Sequence, residues 1–158
     1  MPPDLPDSGR RPGPVEPRVL IGTDLVAVER VERLLEGQPG LAERVFTARE
    51  LAYCTGRSSR AADHLAARFA AKEAVMKALG TGASAGVEWT DVEIVNRLDG
   101  RPVLKLHGRA RQIADRKRVT QTEISLTHTA GLALAHTVLV CSAGLVGLRT
   151  TAGTPDPS

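Results

Sequence analysis

The sequence has few aromatic residues, few cysteines and no long apolar run, and each shortage excludes a class of protein. Its 158 residues include only four aromatic side chains, too few for the stacking platforms of single-strand nucleic-acid binders. No segment reaches the ~18 apolar residues of a membrane helix, and the N-terminus lacks the basic and then apolar segments of a signal peptide. Cys54 and Cys141 have no CxxC spacing and no matching histidine pair, so we expect reduced, structural thiols. These shortages predict a cytoplasmic protein that binds neither nucleic acid nor membrane.

Length and composition predict one globular domain between two extensions. Hydrophobic residues make up 42% of the chain and charged residues 25%, which is typical of a chain that buries a core, and the length suits a single domain. Residues 1–18 contain six prolines and no apolar periodicity, so we expect them to be disordered. The predicted boundaries are a Pro-rich extension at 1–18, a domain at 19–142 and a flexible tail at 143–158.

Apolar periodicity and turn residues predict an α+β fold with an antiparallel sheet. The segment Thr47–Glu50 has the pattern of a capping box and predicts a short helix after it. Pro102 places the strand that follows it at a sheet edge. In chain order the other predicted elements are a strand at 19–21, a turn at 23–24, helices at 25–35 and 61–79, a hairpin of 92–95 with 103–106, a basic helix at 109–118, and strands at 123–127 and 132–140.

The helix at 61–79 has a lysine in the middle of its apolar stripe. At 100° per residue, Lys72 projects between the stripe residues Leu65, Phe69, Met76 and Leu79. Burial of an unpaired ammonium is so unfavourable that Lys72 must reach solvent along its stem, pair with a carboxylate, or face a polar cleft. A cleft that holds an anion would account for its position.

Two carboxylates and a glycine-rich loop could form a site for a metal ion and a phosphate at this helix. Glu73 precedes Lys77 by four residues, an arrangement that is also typical of a surface ion pair worth only ~0.3–0.5 kcal/mol. The helix leads into Gly80–Gly82, whose backbone amides could approach a phosphate closely. Asp24 follows a predicted strand and could be a helix N-cap or, together with Glu73, supply two oxygen ligands for Mg²⁺.

His128 ends a predicted strand on the same face as Ile124 and Leu126. Its simplest interpretation is a partly buried imidazole hydrogen-bonded to the backbone. His64 and His107 are interpreted as surface or packing residues.

Four segments, in this order, resemble the holo-acyl-carrier-protein synthase family of 4'-phosphopantetheinyl transferases. They are Ile21–Asp24 (IGTD), Phe46–Leu51 (FTAREL), Arg68–Ala74 (RFAAKEA) and Ser125–Thr129 (SLTHT). The resemblance covers about residues 19–140, and the third segment, with Lys77 and Gly80–Gly82 after it, is the most specific part. Thr127 stands where many relatives have serine, and the chain after Val140 does not match the family pattern.

The resemblance implies a fold, an activity and an assembly. The fold is that of the 4'-phosphopantetheinyl transferases in its single-unit form, which forms homotrimers with coenzyme A bound between subunits. The reaction is Mg²⁺-dependent transfer of 4'-phosphopantetheine from coenzyme A to a serine of an apo acyl or peptidyl carrier protein, with adenosine 3',5'-bisphosphate as the second product. Carriers of fatty-acid, polyketide and peptide synthesis all present such a serine, so the carrier class remains open.

The resemblance also implies roles for individual residues. Asp24 and Glu73 would bind Mg²⁺, Glu73 or a nearby water would take the serine proton, and Lys77 would lie near the diphosphate of coenzyme A. The residues implied to line the coenzyme A pocket are Arg68, Lys72, Gly80, Thr81, Gly82, His128 and Thr129.

The first predicted helix offers a docking face for an acidic carrier helix. Arg30 and Leu34 share a face four residues apart, and Arg33 and Arg44 add positive charge nearby. The family uses this region similarly. The alternative is a solvated face on which Glu29 pairs with Arg33.

Two other functions fit parts of the sequence. One is a Mg²⁺-dependent nucleotide hydrolase without a carrier partner. The other is a non-catalytic basic module that binds an acidic protein or nucleic acid, although it leaves Lys72 and the grouping of Asp24 with Glu73 unexplained. The basic residues of such a module would be Arg30, Arg33, Arg109, Arg111, Arg116 and Arg118.

Overall fold

A computed structural model describes residues 17–56, 58–81 and 85–143 of the chain. The predicted flexible tail from residue 144 onward and the predicted extension up to residue 16 lie outside these ranges. Arg18, placed in the extension by the sequence, is the first residue of a strand. No helix in the described part of the chain is long and apolar enough to cross a membrane.

The strands form two antiparallel sheets, which confirms the predicted α+β class. The larger sheet has the order β1-β5-β4 and the smaller one pairs β2 with β3. Pro102 opens β3, which among the described residues has a hydrogen-bonded neighbour on one side only, so its predicted edge position is confirmed. The bounds are β1 Arg18–Ala27, β2 Val92–Asn96, β3 Pro102–Leu106, β4 Val119–Thr129 and β5 Leu132–Cys141.

The helices agree with the sequence prediction in most places. The predicted helix at 61–79 has those bounds and ends at Gly80, which adopts the left-handed conformation at φ 68°. The capping box forms, since the Thr47 hydroxyl accepts from the Glu50 amide at 3.3 Å and Glu50 accepts from the Thr47 amide at 2.9 Å. The bounds are α1 Val28–Glu36, α2 Leu41–Val45, α3 Ala48–Thr55, α4 Ala61–Leu79 and α5 Gly108–Arg116, of which α2 was not predicted.

The first strand is much longer than the sequence indicated, and this corrects the prediction for Asp24. β1 pairs with β5 along its whole length, from Arg18 opposite Cys141 to Ala27 opposite Leu132. The predicted turn at 23–24 is therefore in the middle of a strand. The N-cap of α1 is Ala27, so Asp24 is not a helix cap.

Helix α4 packs against the large sheet mainly through small residues, which the predicted stripe did not include. The alanines Ala66, Ala67, Ala70, Ala71 and Ala74 are buried, whereas the large stripe residues are only partly buried, except for the last one and the lysine. Alanines let strand and helix backbones approach closely.

Gly22 marks the closest approach of β1 to α4. A Cβ atom at this position would lie 1.8 Å from the carbonyl oxygen of Ala74, so the contact is backbone against backbone. Residues alternate across a strand, and Asp24 and Val26 consequently face the helix with Gly22.

The opposite face of the large sheet is apolar and exposed. Val19, Ile21 and Leu25 of β1 alternate with the helix-facing residues, and Leu132 opens β5 beside them. Their exposed fractions run from 44% for Leu132 to 61% for Ile21. This outer sheet face also carries a hydrogen bond between the Thr23 hydroxyl and Nδ1 of His136, at 2.7 Å.

Candidate functional site

Asp24 and Lys77 meet where β1 faces the C-terminal half of α4. The Lys77 ammonium donates to Oδ1 of Asp24 at 2.7 Å and to the carbonyl oxygen of Thr23 at 3.2 Å. The Asp24 side chain is 14% exposed and that of Lys77 53%, so the pair lies at the surface with the carboxylate on its inner side. The hydrogen bond to Asp24 raises the pKa of Lys77, and the lysine therefore stays cationic at this site.

Glu73 lies beside this pair, as the sequence predicted. Burial raises the pKa of Glu73, and the negative charge of Asp24 raises it further, although Lys77 and Arg30 act in the opposite direction. Two carboxylates that repel each other across a partly open site are a favourable location for a divalent cation. In the ranges that the structure describes, no three His, Cys, Asp or Glu side chains are grouped to hold a metal alone. A metal here would therefore take its remaining ligands from water or substrate.

Lys72 is a structural residue, which corrects its predicted place in the coenzyme A pocket. Its side chain is fully buried and its ammonium pairs with Glu50 at 2.8 Å. The same ammonium donates to the carbonyl oxygens of Trp89 and Val92. A lysine whose donors are all used inside the protein has none left for a ligand.

Glu50 is satisfied as completely as its partner. One carboxylate oxygen accepts from the Ile94 amide at 2.9 Å, and the other accepts from the Thr47 amide and Lys72. The pair thus connects α3, α4 and β2 through the interior. Of the three solutions that the sequence allowed for Lys72, pairing with a carboxylate is the one adopted.

Arg68 lines a cavity of about 380 Å³ on another side of α4. The residue is only 2% exposed, and its Nε has no hydrogen-bond partner in the described part of the chain. Its guanidinium lies 4.3 Å from the centre of the Tyr53 ring and donates to the side-chain oxygen of Asn96. Other lining residues are basic as well, namely Arg49, Arg97 and Lys105. A cavity with four cationic side chains is suited to an anion.

His128 lies at the end of β4. Its side chain is 28% exposed, and its Nδ1 is 4.0 Å from a carboxylate oxygen of Asp63. The His128 and His64 rings meet edge to face at a centroid distance of 5.9 Å. Ile124 and Leu126 share its face of β4, as predicted. Thr129 follows as an exposed residue at the strand end.

The loop after α4 differs from the expectation for Gly80 and Thr81. The Gly80 amide donates to the carbonyl oxygen of Lys77. The amide and hydroxyl of Thr81 both donate to the carbonyl oxygen of Met76, at 2.9 and 3.1 Å. These groups close the helix end and are not available to a phosphate in this conformation. Gly82 lies outside the described residues.

The predicted docking residues are all exposed. Arg30, Arg33 and Leu34 lie on the solvent side of α1, and Arg44 lies on α2. Arg33 is 3.5 Å from Glu29, so the ion pair considered as an alternative does form, but both side chains are largely exposed and the pair adds little stability. Arg30 lowers the pKa of Glu73, which places its charge beside the carboxylates.

Sequence reasoning missed the partners of Lys72 and Arg68. Glu50 was interpreted only as a capping residue, and Tyr53 and Asn96 were not considered. The segment FTAREL contained a sequence signal for Glu50, because this acid directly follows an arginine at the start of a helix. The hairpin residue Asn96 had no sequence signal, because its proximity to Arg68 depends on the tertiary fold.

Comparison with known proteins shows the family to which the chain belongs. The family model of the 4'-phosphopantetheinyl transferase superfamily matches residues 20–135. A holo-[acyl-carrier-protein] synthase of Geobacter sulfurreducens is 46% identical over 119 residues, which are 75% of this chain and 94% of that protein. The chain belongs to the holo-acyl-carrier-protein synthase family.

Solved structures of the family show the same fold. The holo-ACP synthase of Plasmodium yoelii matches with a TM-score of 0.69 and 27% identity, over 80% of this chain and 98% of that one. The Bacillus anthracis holo-(acyl-carrier-protein) synthase, solved in complex with CoA (3',5'-ADP), matches with a TM-score of 0.63 and 32% identity, over 82% and 98% of the two chains. Every predicted site residue of this family member, from Asp24 to Thr129, lies within the matched segment.

Proposed function

We propose that the chain transfers 4'-phosphopantetheine from coenzyme A to a serine of an apo acyl or peptidyl carrier protein. The observation that carries the proposal is the convergence of Asp24, Glu73 and Lys77 at one surface site. In the reaction the serine oxygen forms a bond to the β-phosphorus, the bond from that phosphorus to the bridging oxygen breaks, and adenosine 3',5'-bisphosphate leaves. Negative charge increases on the diphosphate during this step and must be stabilised.

Asp24 and Glu73 are the residues that would hold Mg²⁺. Two carboxylates supply hard oxygen ligands and leave room for water and the diphosphate oxygens. When bound, the ion would neutralise charge on the diphosphate. Lys77 adds a second positive charge that Asp24 holds in place. Glu73 or a water beside it accepts the proton of the serine.

The basic cavity is the proposed site for a phosphate of coenzyme A. Arg68 supports this role because its guanidinium is buried and its Nε is unpaired within the described ranges. An arginine held by Tyr53 and Asn96 is fixed for phosphate recognition before the ligand binds. We include His128 and Thr129 at the margin of the same site.

A homotrimer would bring the two parts of the site together. Arg68 and Glu73 are five residues apart on α4, so their side chains point in directions that differ by about 140°. One coenzyme A molecule would then contact the carboxylates of one subunit and the basic cavity of its neighbour. The apolar outer sheet face, where Ile21 is 61% exposed, supports this assembly because a surface of this kind marks a protein contact.

An acidic carrier helix would dock on α1 and α2. Leu34 supplies the apolar contact, and Arg30, Arg33 and Arg44 supply the charge. Because Arg30 also acts on Glu73, a carrier that contacts it would hold its serine close to the carboxylates. We expect Arg30→Glu to weaken carrier binding more than coenzyme A binding, and equal affinities for wild type and variant would exclude this face.

Intact-mass measurement of a carrier tests the proposed function directly. The protein is incubated with coenzyme A, Mg²⁺ and several apo-carriers, and the intact mass of each carrier is measured. A phosphopantetheine adduct is expected with wild type. Asp24→Asn and Glu73→Gln should abolish the adduct while circular dichroism stays unchanged, and omission of Mg²⁺ in the presence of EDTA should have the same effect. The absence of an adduct on every carrier would refute the proposal.

A further inference from the structure

Four planar side chains form a continuous series between the basic cavity and the end of β4. The Arg68 guanidinium lies 4.3 Å from the centre of the Tyr53 ring. Tyr53 and His64 meet edge to face at 5.7 Å, and His64 meets His128 in the same way at 5.9 Å. His64 is therefore the central ring, in contact with one residue of the cavity and with one at the strand end.

We propose that His64 is a positioning residue for coenzyme A binding, through which Tyr53 and His128 are held in place. The inference rests on the proposed function, since it takes Arg68 and His128 as coenzyme A contacts. His64 itself need not touch the ligand. Its role is to fix the two rings on either side of it.

Contacts of the neighbouring residues indicate why the ring is needed. Nδ1 of His128 is 4.0 Å from Asp63, longer than a hydrogen bond, so this carboxylate orients the imidazole only weakly. The His128 side chain is 28% exposed and lies at the end of a strand. The edge-to-face contact with the His64 ring supplies a directional interaction at this position.

The other side of His64 supports Arg68. The guanidinium donates to the backbone carbonyl of His64 at 3.4 Å and stacks on Tyr53, while the ring of His64 packs against Tyr53. A displaced Tyr53 would remove one of the surfaces that hold Arg68 in its buried orientation. Loss of the His64 ring should therefore weaken ligand binding at two residues while the carboxylate site stays unaffected.

The test uses two substitutions that differ in ring character. His64→Leu has a similar size but no aromatic edge, and His64→Phe restores the edge without the ring nitrogens. Edge-to-face contacts of this kind correspond to about a two- to tenfold change in affinity. We expect KM for coenzyme A to rise by about that factor in His64→Leu, with kcat within about twofold of wild type, and to return to the wild-type value in His64→Phe.

The control is His107→Leu, which removes an exposed histidine that bonds to Glu93. It should leave KM for coenzyme A unchanged. Calorimetric titration of each full-length variant with coenzyme A gives Kd without the carrier, and thermal unfolding shows that each variant is folded.

Each outcome has a defined meaning. A wild-type KM and Kd in His64→Leu would overturn the inference, and so would equal increases in both His64 variants or a fall in kcat without a change in KM. If wild type itself neither binds coenzyme A nor modifies a carrier, the proposed function fails and not only the role of His64. Restoration of binding by phenylalanine alone is the result that supports positioning by the ring.

Discussion

Removal of the Lys72 ammonium separates a structural role from a ligand contact. In Lys72→Met the side chain keeps a similar length and an apolar stem, but Glu50 loses its partner at 2.8 Å. Both side chains are fully buried, so the carboxyl group would be left in the interior without its counter-ion. Breaking a buried pair in this way costs about 3–5 kcal/mol, a large part of the ~5–15 kcal/mol by which domains are stable. The carbonyl oxygens of Trp89 and Val92 would lose a donor as well.

Urea unfolding at pH 7, followed by circular dichroism, measures this loss. Lys105→Met is the matched control, because it removes an exposed lysine and should change stability by less than about 0.5 kcal/mol. The double variant Glu50→Gln with Lys72→Met should be less destabilised than the sum of the single variants, since it no longer contains an isolated charge.

Coenzyme A binding supplies the second half of the test. At a temperature where Lys72→Met is folded, KM for coenzyme A should remain within about twofold of wild type, because the ammonium has no free donor for a ligand. A loss of stability below about 1 kcal/mol, or additive effects in the double variant, would refute the structural role. A large rise in KM in a fully folded variant would restore the family-based assignment.

Three further predictions follow from the pKa of Glu73 and from packing. Burial and Asp24 raise the pKa of Glu73 in the folded protein. Protonated Glu73 therefore contributes to folding stability, fully at a pH below its pKa in the unfolded chain, and this contribution is lost as the pH rises through its pKa in the folded protein. In EDTA, the melting temperature of Glu73→Gln should therefore be higher than that of wild type at pH 8, and the difference should shrink toward pH 4.5. A difference that does not change with pH would contradict the assignment. Gly22→Ala should lower the free energy of unfolding by at least about 1–3 kcal/mol and abolish transfer in whatever protein folds. Gly56→Ala, at φ −64°, should lower it only slightly. Equal urea midpoints for the two variants would disprove the close contact at Gly22. Ile21→Asp should dissociate the proposed trimer, as measured by the mass from light scattering. Leu98→Asp, at the fully exposed hairpin tip, should leave the mass unchanged. An unchanged mass for Ile21→Asp would exclude the outer sheet face as the subunit contact.

The elements that the sequence predicts well have strong local signals. The bounds of α4 follow from its alanine-rich composition and Gly80, and α3 follows from the capping box of Thr47 and Glu50. The length of β1 could not be predicted, because Gly22 and Asp24 have poor strand propensity and are held by pairing with β5, more than a hundred residues later in the chain.

Prediction of the site had the same limit. The carboxylates were identified from one helix and one motif, and the structure brings them together. The predicted apolar stripe of α4 left out the buried alanines of this helix because large residues were given more weight, although small residues are what permits close packing against a sheet. The partner of Lys72 was in the printed sequence, but nothing local connects it with a residue more than twenty positions away.

The buried pair of Glu50 and Lys72 also limits how the sequence can change over evolutionary time. Lys72 and Glu73 are neighbours in the chain, yet one is tied to an interior carboxylate and the other faces the proposed active site. A single replacement at position 50 or 72 leaves a buried charge without its counter-ion, whereas a joint replacement by apolar residues does not. These two positions should therefore covary among related proteins, as an acid with a base or as two uncharged residues, while position 73 is constrained by chemistry and varies independently of both.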